Sequence, residues 1–234
     1  ICVSFDNPLS DHRVRFHIAL AEPTERSAAE GQFAVVERGL TAEGGHGEVP
    51  LPTFPARGFV DAGGVAVLLE HVMEYELLDG RELALTLLRS TGLISRSDNP
   101  YREVNAGPEV PIPAAQLKGP WSIRFALFPH EGSWDDAGVL WEMEHYQHAF
   151  LTALGTGELP AVPERAGIEL HGDGVVLSAL RRRGDELEAR IVNEQPQPAT
   201  ATLAGQTLEL RAWEIRTVLL PAGAADALAQ TEVV

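Results

Sequence analysis

The chain has 234 residues, 44% of them apolar and 22% charged, with a single cysteine, Cys2. That length holds one large domain or two small ones and buries roughly 70–75% of its extended surface, enough to fold without disulfides or a Cys-rich zinc site. The formal charge of −16 argues against a nucleic-acid partner and an anionic membrane surface, both of which need clustered cations.

The first residues, Ile1–Pro8, show no basic n-region and no apolar h-region, and they read as an internal part of a longer chain. Val14–Leu20 alternates as a strand does, around Val14, Phe16 and Ile18, and Phe33–Arg38 predicts a second short strand. Thr41–Val49 is polar, holds three glycines and runs into Pro50, so it is a loop. Val65–Leu69 and Met73–Leu78 predict further strands. Asp79-Gly80 is the residue pair of a tight hairpin turn, with Glu82–Leu88 as the return strand. The return strand is apolar beyond simple alternation, which suits a strand covered on both faces. Ser95–Gln116 is a long aperiodic excursion with four prolines, and long structured loops of this kind are often functional.

Trp121–Phe128 resumes a strand with Trp121, Ile123, Phe125 and Leu127 on one face. Asp135–Leu151 predicts the one helix, capped by Asp135 or Asp136, with Val139, Met143, Tyr146 and Phe150 recurring at helical spacing. Gly155–Gly167 is rich in Gly and Pro and marks the internal boundary. Beyond it, Val175–Leu180, Glu186–Asn193, Ala199–Leu203 and Leu208–Leu220 predict strands, and the small, polar tail after Pro221 frays. The fold class expected is therefore all-β: a large antiparallel β-sandwich over residues 1–155, a smaller β domain over 160–221, one helix, and a flexible tail over 222–234.

Chemistry-bearing residues are sparse. His12 and His17 point to opposite faces of a strand, and His145 and His148 read as a solvated helix face. There is no G-x-S-x-G elbow, and Glu43-Gly44-Gly45-His46-Gly47 lacks the lysine and the strand–helix context of a phosphate loop. Arg181-Arg182-Arg183 precedes Gly184-Asp185 and reads as a hairpin tip. Trp134 and Trp141 read as core packing. The candidates are Arg89, Arg96, Asp98 and Arg102, which bracket a strand end and enter the excursion. Planar guanidinium and carboxylate groups there suit sugar hydroxyls. A second candidate set is His130 with Glu74 or Glu76, an acid and base for sugar anomerisation in a stand-alone mutarotase-type enzyme. A carbohydrate-binding module is a third alternative.

Several stretches together resemble the C-terminal β-domain of glycoside hydrolase family 38, the α-mannosidases. They are Asp11–Arg15, Gln32–Arg38, Pro52–Ala56, Gly64–Leu68, Glu74–Glu76, Leu83–Ser90 with Gly92–Arg96, Phe125–His130, Ala189–Asn193 and Trp213–Thr217, in matching order over residues 11–220. The resemblance implies a supersandwich like that of galactose mutarotase, inside a parent enzyme that cleaves α-mannosides with retention. It also implies that the parent's zinc and nucleophile belong to an upstream catalytic α/β domain, so this stretch carries no catalytic residue, metal or cofactor of its own. Its partners would be that domain and the mannoside. Arg89 is the first residue the resemblance carries to the rim of the sugar pocket; Arg96, Asp98 and Arg102 follow. A cytoplasmic, bacterial-like location is expected from the lone cysteine and from the arginine-rich composition with its single lysine, Lys118.

Overall fold

The computed structural model describes residues 1–45, 47–148, 152 and 167–221. They form strands β1 (Cys2–Asn7), β2 (Arg13–Ala19), β3 (Ser27–Glu30), β4 (Val35–Arg38), β5 (Thr53–Ala56), β6 (Phe59–Ala62), β7 (Val65–Leu69), β8 (Met73–Leu78), β9 (Glu82–Arg89) and β10 (Gly119–Pro129). Helix α1 (Val139–Gln147) follows, then β11 (Leu170–His171), β12 (Val175–Arg183), β13 (Glu186–Asn193), β14 (Ala199–Leu203), β15 (Gln206–Leu210) and β16 (Ile215–Pro221). The chain is mostly strand, in four antiparallel sheets with one α-helix among the described residues. The chain divides into two compact units, residues 1–32 with 36–149, and residues 33–35 with 150–234. Most of the glycine-rich boundary and the whole tail after Pro221 lie outside the described residues.

The first unit is a sandwich of a six-stranded sheet, β1-β10-β7-β6-β3-β4, and a four-stranded sheet, β2-β9-β8-β5. Its core follows from period-two alternation. Leu83, Leu85 and Leu87 of β9, and Met73, Tyr75 and Leu77 of β8, face Val65, Val67 and Leu69 of β7 and Phe125 of β10. Phe16 meets Phe125 edge to face at 5.0 Å between ring centroids. Each fully buried Leu of this layer contributes about 1.5–3 kcal/mol.

The outer face of the six-stranded sheet is covered as well. Phe59, Ala66 and Leu68 point away from the core yet are buried, because α1 packs on β6 and β7 through Val139, Leu140 and Met143. Gln147 pins the end of the helix by donating from Nε2 to the Leu69 carbonyl at 2.7 Å.

Differences from the sequence expectation have local causes. Helix α1 starts at Val139 behind a left-handed Gly138 with no side-chain cap, because residues 133–138 form a turn in which the Asp136 N–H donates to Ser133 Oγ. The helix ends at Gln147, where His148 turns extended (φ −108°, ψ 100°), short of the expected end at Leu151, which itself lies outside the described residues. The expected strand over 208–220 is two strands, broken at Arg211–Glu214 where Trp213 takes φ 57°. Strands β1, β3, β5 and β6 carry too few alternating apolar residues to be read locally. The Asp79-Gly80 turn is as expected, with φ 49° and 65°.

The second unit packs two three-stranded sheets, β11-β14-β15 and β12-β13-β16, around Ile191, Leu203, Leu210 and Leu220. Arg181 and Arg183 of the basic run both pair with Glu188 on the hairpin partner strand.

Candidate functional site

Two loops of the first unit build a cavity of about 670 Å³, within the usual size of a small-molecule site. One loop joins β4 to β5; the other is the excursion from β9 to β10. They are zipped by backbone pairing, since Glu48 and Arg102 face each other in an antiparallel bridge and the Val49 N–H donates to the Tyr101 carbonyl at 2.8 Å. Within the excursion, Leu93 bridges Pro111 and the Ile112 N–H donates to the Gly92 carbonyl. Proline-rich backbone without a sheet of its own is held in this way by short ladders.

Three of the four residues singled out from the sequence line this cavity: Arg96, Asp98 and Arg102. Arg89 does not. It ends β9 on the outward face of the four-stranded sheet, opposite Arg13, and its Nη1 donates to Glu74 Oε1 at 2.6 Å. Sequence reasoning missed Glu43, Glu48 and Tyr101, which share the lining. Pro50 and the glycines around Glu48 mark the turn that brings them in, but nothing local says which other loop they meet.

The guanidinium groups are partnered. Arg102 Nη2 donates to Glu48 Oε1, and Arg96 Nη2 lies 3.3 Å from Asp11 Oδ1. Asp11 sits between β1 and β2 with φ 52°, and the same oxygen accepts from Gln116 Nε2 at 3.1 Å and from the Gly92 N–H at 2.9 Å. The hydrogen bonds from Gln116, then Gly92, hold its carboxyl below the usual range. Ser97 donates its N–H to Glu109 Oε1 at 2.6 Å, which lowers that carboxyl too. The lining therefore combines fixed donors, fixed acceptors and one half-exposed ring, a set that can hold hydroxyl groups.

The acid and base considered for anomerisation are not brought together. His130 is only 4% exposed, with Nε2 2.8 Å from Asp61 Oδ1 on the six-stranded sheet. Glu74 and Glu76 lie on the outward face of the other sheet, engaged by Arg89 and Arg15. Among the described residues no three His, Cys, Asp or Glu side chains converge as a metal site would require. His148 pairs with Glu144, and Trp141, expected in the core, is instead exposed on α1 with its ring against His145. No described helix is long and apolar enough to cross a membrane.

Comparison with solved structures decides the fold. The chain superposes on an α-mannosidase from Enterococcus faecalis V583 with a TM-score of 0.72 and 22% identity, over 94% of this chain and 27% of that one. The fold is that of a domain found in α-mannosidase structures. A second match, a glycosyl hydrolase family 38 protein from Enterococcus faecalis, gives a TM-score of 0.70 at 22% identity, over 94% of this chain and 28% of that one. The chain thus spans little more than a quarter of the length of these neighbours. No family model and no curated protein matches its sequence.

Proposed function

We propose that this chain is the non-catalytic β-domain of a zinc-dependent, retaining α-mannosidase of glycoside hydrolase family 38. In this reading it packs on a separate catalytic α/β domain that holds the zinc and the nucleophile, in the cytoplasm. The loop cavity forms part of the wall around the mannoside. The observation that carries the reading is the mixed lining of the cavity. Val49, Leu51, Ile94 and Tyr101 are exposed within it, Val104 and Val110 are exposed beside it, and they alternate with Glu43, Glu48, Arg96, Asp98 and Arg102. Exposed apolar side chains interleaved with charged ones suit a surface that a second domain covers, leaving the charged groups for a polar ligand. The fold likeness supports the reading, because the solved neighbours carry nearly three times as much additional chain.

The test is kinetic. The full-length polypeptide is expected to hydrolyse an aryl α-mannoside and the present chain alone is not. In the full-length protein, Arg96→Ala and Arg102→Ala should lower kcat/KM by about tenfold each, or about 1.4 kcal/mol. Hydrolysis by the isolated chain, or acceleration of mannose anomerisation by it, would overturn the reading. Unchanged kinetics in both variants would remove the cavity from the sugar site.

A further inference from the structure

The two arginines of the cavity are the groups that would ordinarily take a phosphate or carboxylate, through their forked N–H donors. Each is already committed to a carboxylate, and in each case the backbone enforces the pairing. Glu48 and Arg102 are cross-strand partners in an antiparallel bridge, with the Glu103 N–H donating to the Gly47 carbonyl alongside. Asp11 is held from the other side by Gln116 Nε2 and the Gly92 N–H, so it stays beside Arg96 whatever the arginine does. Gly92 permits this approach: a Cβ there would fall 2.5 Å from Gln116 Nε2. Three carboxylates, Glu43, Glu48 and Asp98, line the cavity against two guanidinium groups. Outside the lining, Asp11 and Glu109 add further negative charge beside Arg96.

We propose that the cavity is selective for a neutral, hydroxyl-bearing ligand and rejects anionic ones, with Asp11 and Glu48 as the positioning residues that neutralise Arg96 and Arg102. The inference rests on reading the cavity as a ligand-contacting wall, and it narrows the ligand class to uncharged sugars as opposed to phosphorylated or acidic ones. A sugar hydroxyl accepts from the N–H groups the carboxylates leave free and donates to Asp98 or Glu43. A phosphate meets the same N–H groups and an excess of negative charge.

The test uses inorganic phosphate as the probe, titrated into the chain as it stands and read on the side-chain N–H signals of Arg96 and Arg102 by NMR. Wild type should show no saturable shift. Asp11→Asn keeps an acceptor for the Gly92 N–H, and Glu48→Gln keeps the backbone bridge. Each should bind phosphate at least about tenfold more tightly than wild type at the arginine it frees. Glu37→Gln is the control, since it frees Arg26 from an exposed 2.6 Å pair outside the cavity. Saturable phosphate binding by wild type at Arg96 or Arg102, no gain in either folded cavity variant, or an equal gain in Glu37→Gln would each overturn the proposal. If Asp11→Asn loosens the loop, Glu48→Gln alone decides through Arg102. None of these readings needs a mannoside or the rest of the enzyme, so they stand or fall separately from the kinetic test above.

Discussion

Glu30 places one carboxylate oxygen where residue 58 would carry a side chain: a Cβ built on Gly58 falls 1.9 Å from Glu30 Oε2 and 2.8 Å from Met143 Sδ. Glu30 lies at the end of β3, beneath α1, almost wholly buried. Its Oε1 accepts from Arg57 Nη1 at 2.5 Å, while Oε2 has no partner. One glycine thus makes room for a buried acid and for the helix that covers it.

Gly58→Ala should therefore destabilise the chain by about 1–3 kcal/mol, the usual cost of overpacking. Chemical denaturation measures it. Glu30→Ala in the same chain should recover part of the loss, since the two changes share one contact. Additive effects of the two substitutions would show that α1, not Glu30, meets the new methyl group.

The pH dependence of this group has a definite sign. Burial pushes the Glu30 carboxyl above its ordinary value of 4.5, against the opposing pull of Arg57. The folded state then holds the proton more tightly than the unfolded chain. The contribution is full below the ordinary value and is lost as pH rises through the raised native one. Relative to wild type, Glu30→Gln should gain stability progressively as pH increases from about 4.5, its ordinary value, towards neutrality. A difference curve from denaturation at several pH values checks this. Asp61, also raised by burial, leaves a slope of the same sign in the variant.

Glu214 behaves oppositely. It accepts from the Arg211 N–H at 2.8 Å and from Arg216 Nε and Nη2 at 3.0 and 2.7 Å. These bonds, the one from the Arg211 backbone first, hold its carboxyl at about 2 instead of 4.5. What they add to the turn before β16 is complete above 4.5 and disappears as pH falls towards about 2. The Arg211 amide shift should titrate with a midpoint near that value, and Glu214→Gln should abolish the step. A midpoint near 4.5 would mean that the arginine clamp does not hold in solution.

How far the residues spoke for themselves depended on how local the signal was. The Asp79-Gly80 hairpin was legible because positive φ at adjacent positions is a property of those two residues. The burial of β9 on both faces was legible from its unbroken apolar run. Strand β6 was not, because a four-residue Phe-Val-Asp-Ala segment owes its burial to the core on one side and to α1 on the other. In the candidate site, Arg96, Asp98 and Arg102 were found by residue type. Arg89 was grouped with them as a strand-end residue before the excursion and as the first residue that the family resemblance carries to the pocket rim. The register with β2 shifts at Leu87, and this bulge breaks the period-two alternation of β9 and turns Arg89 onto the outward sheet face, beside Glu74.

By its own order of residues the chain determined an all-β, two-part fold with one helix, since strand alternation, turn chemistry and net charge are short-range properties. Only the tertiary structure decided that the loop around Glu48 closes on the excursion around Arg102, that Asp11 guards Arg96, and that His130 is committed to Asp61. Those pairings join positions roughly 50 to 85 residues apart. They depend on sheet register and on which face each side chain takes, and a one-residue slip reverses that face.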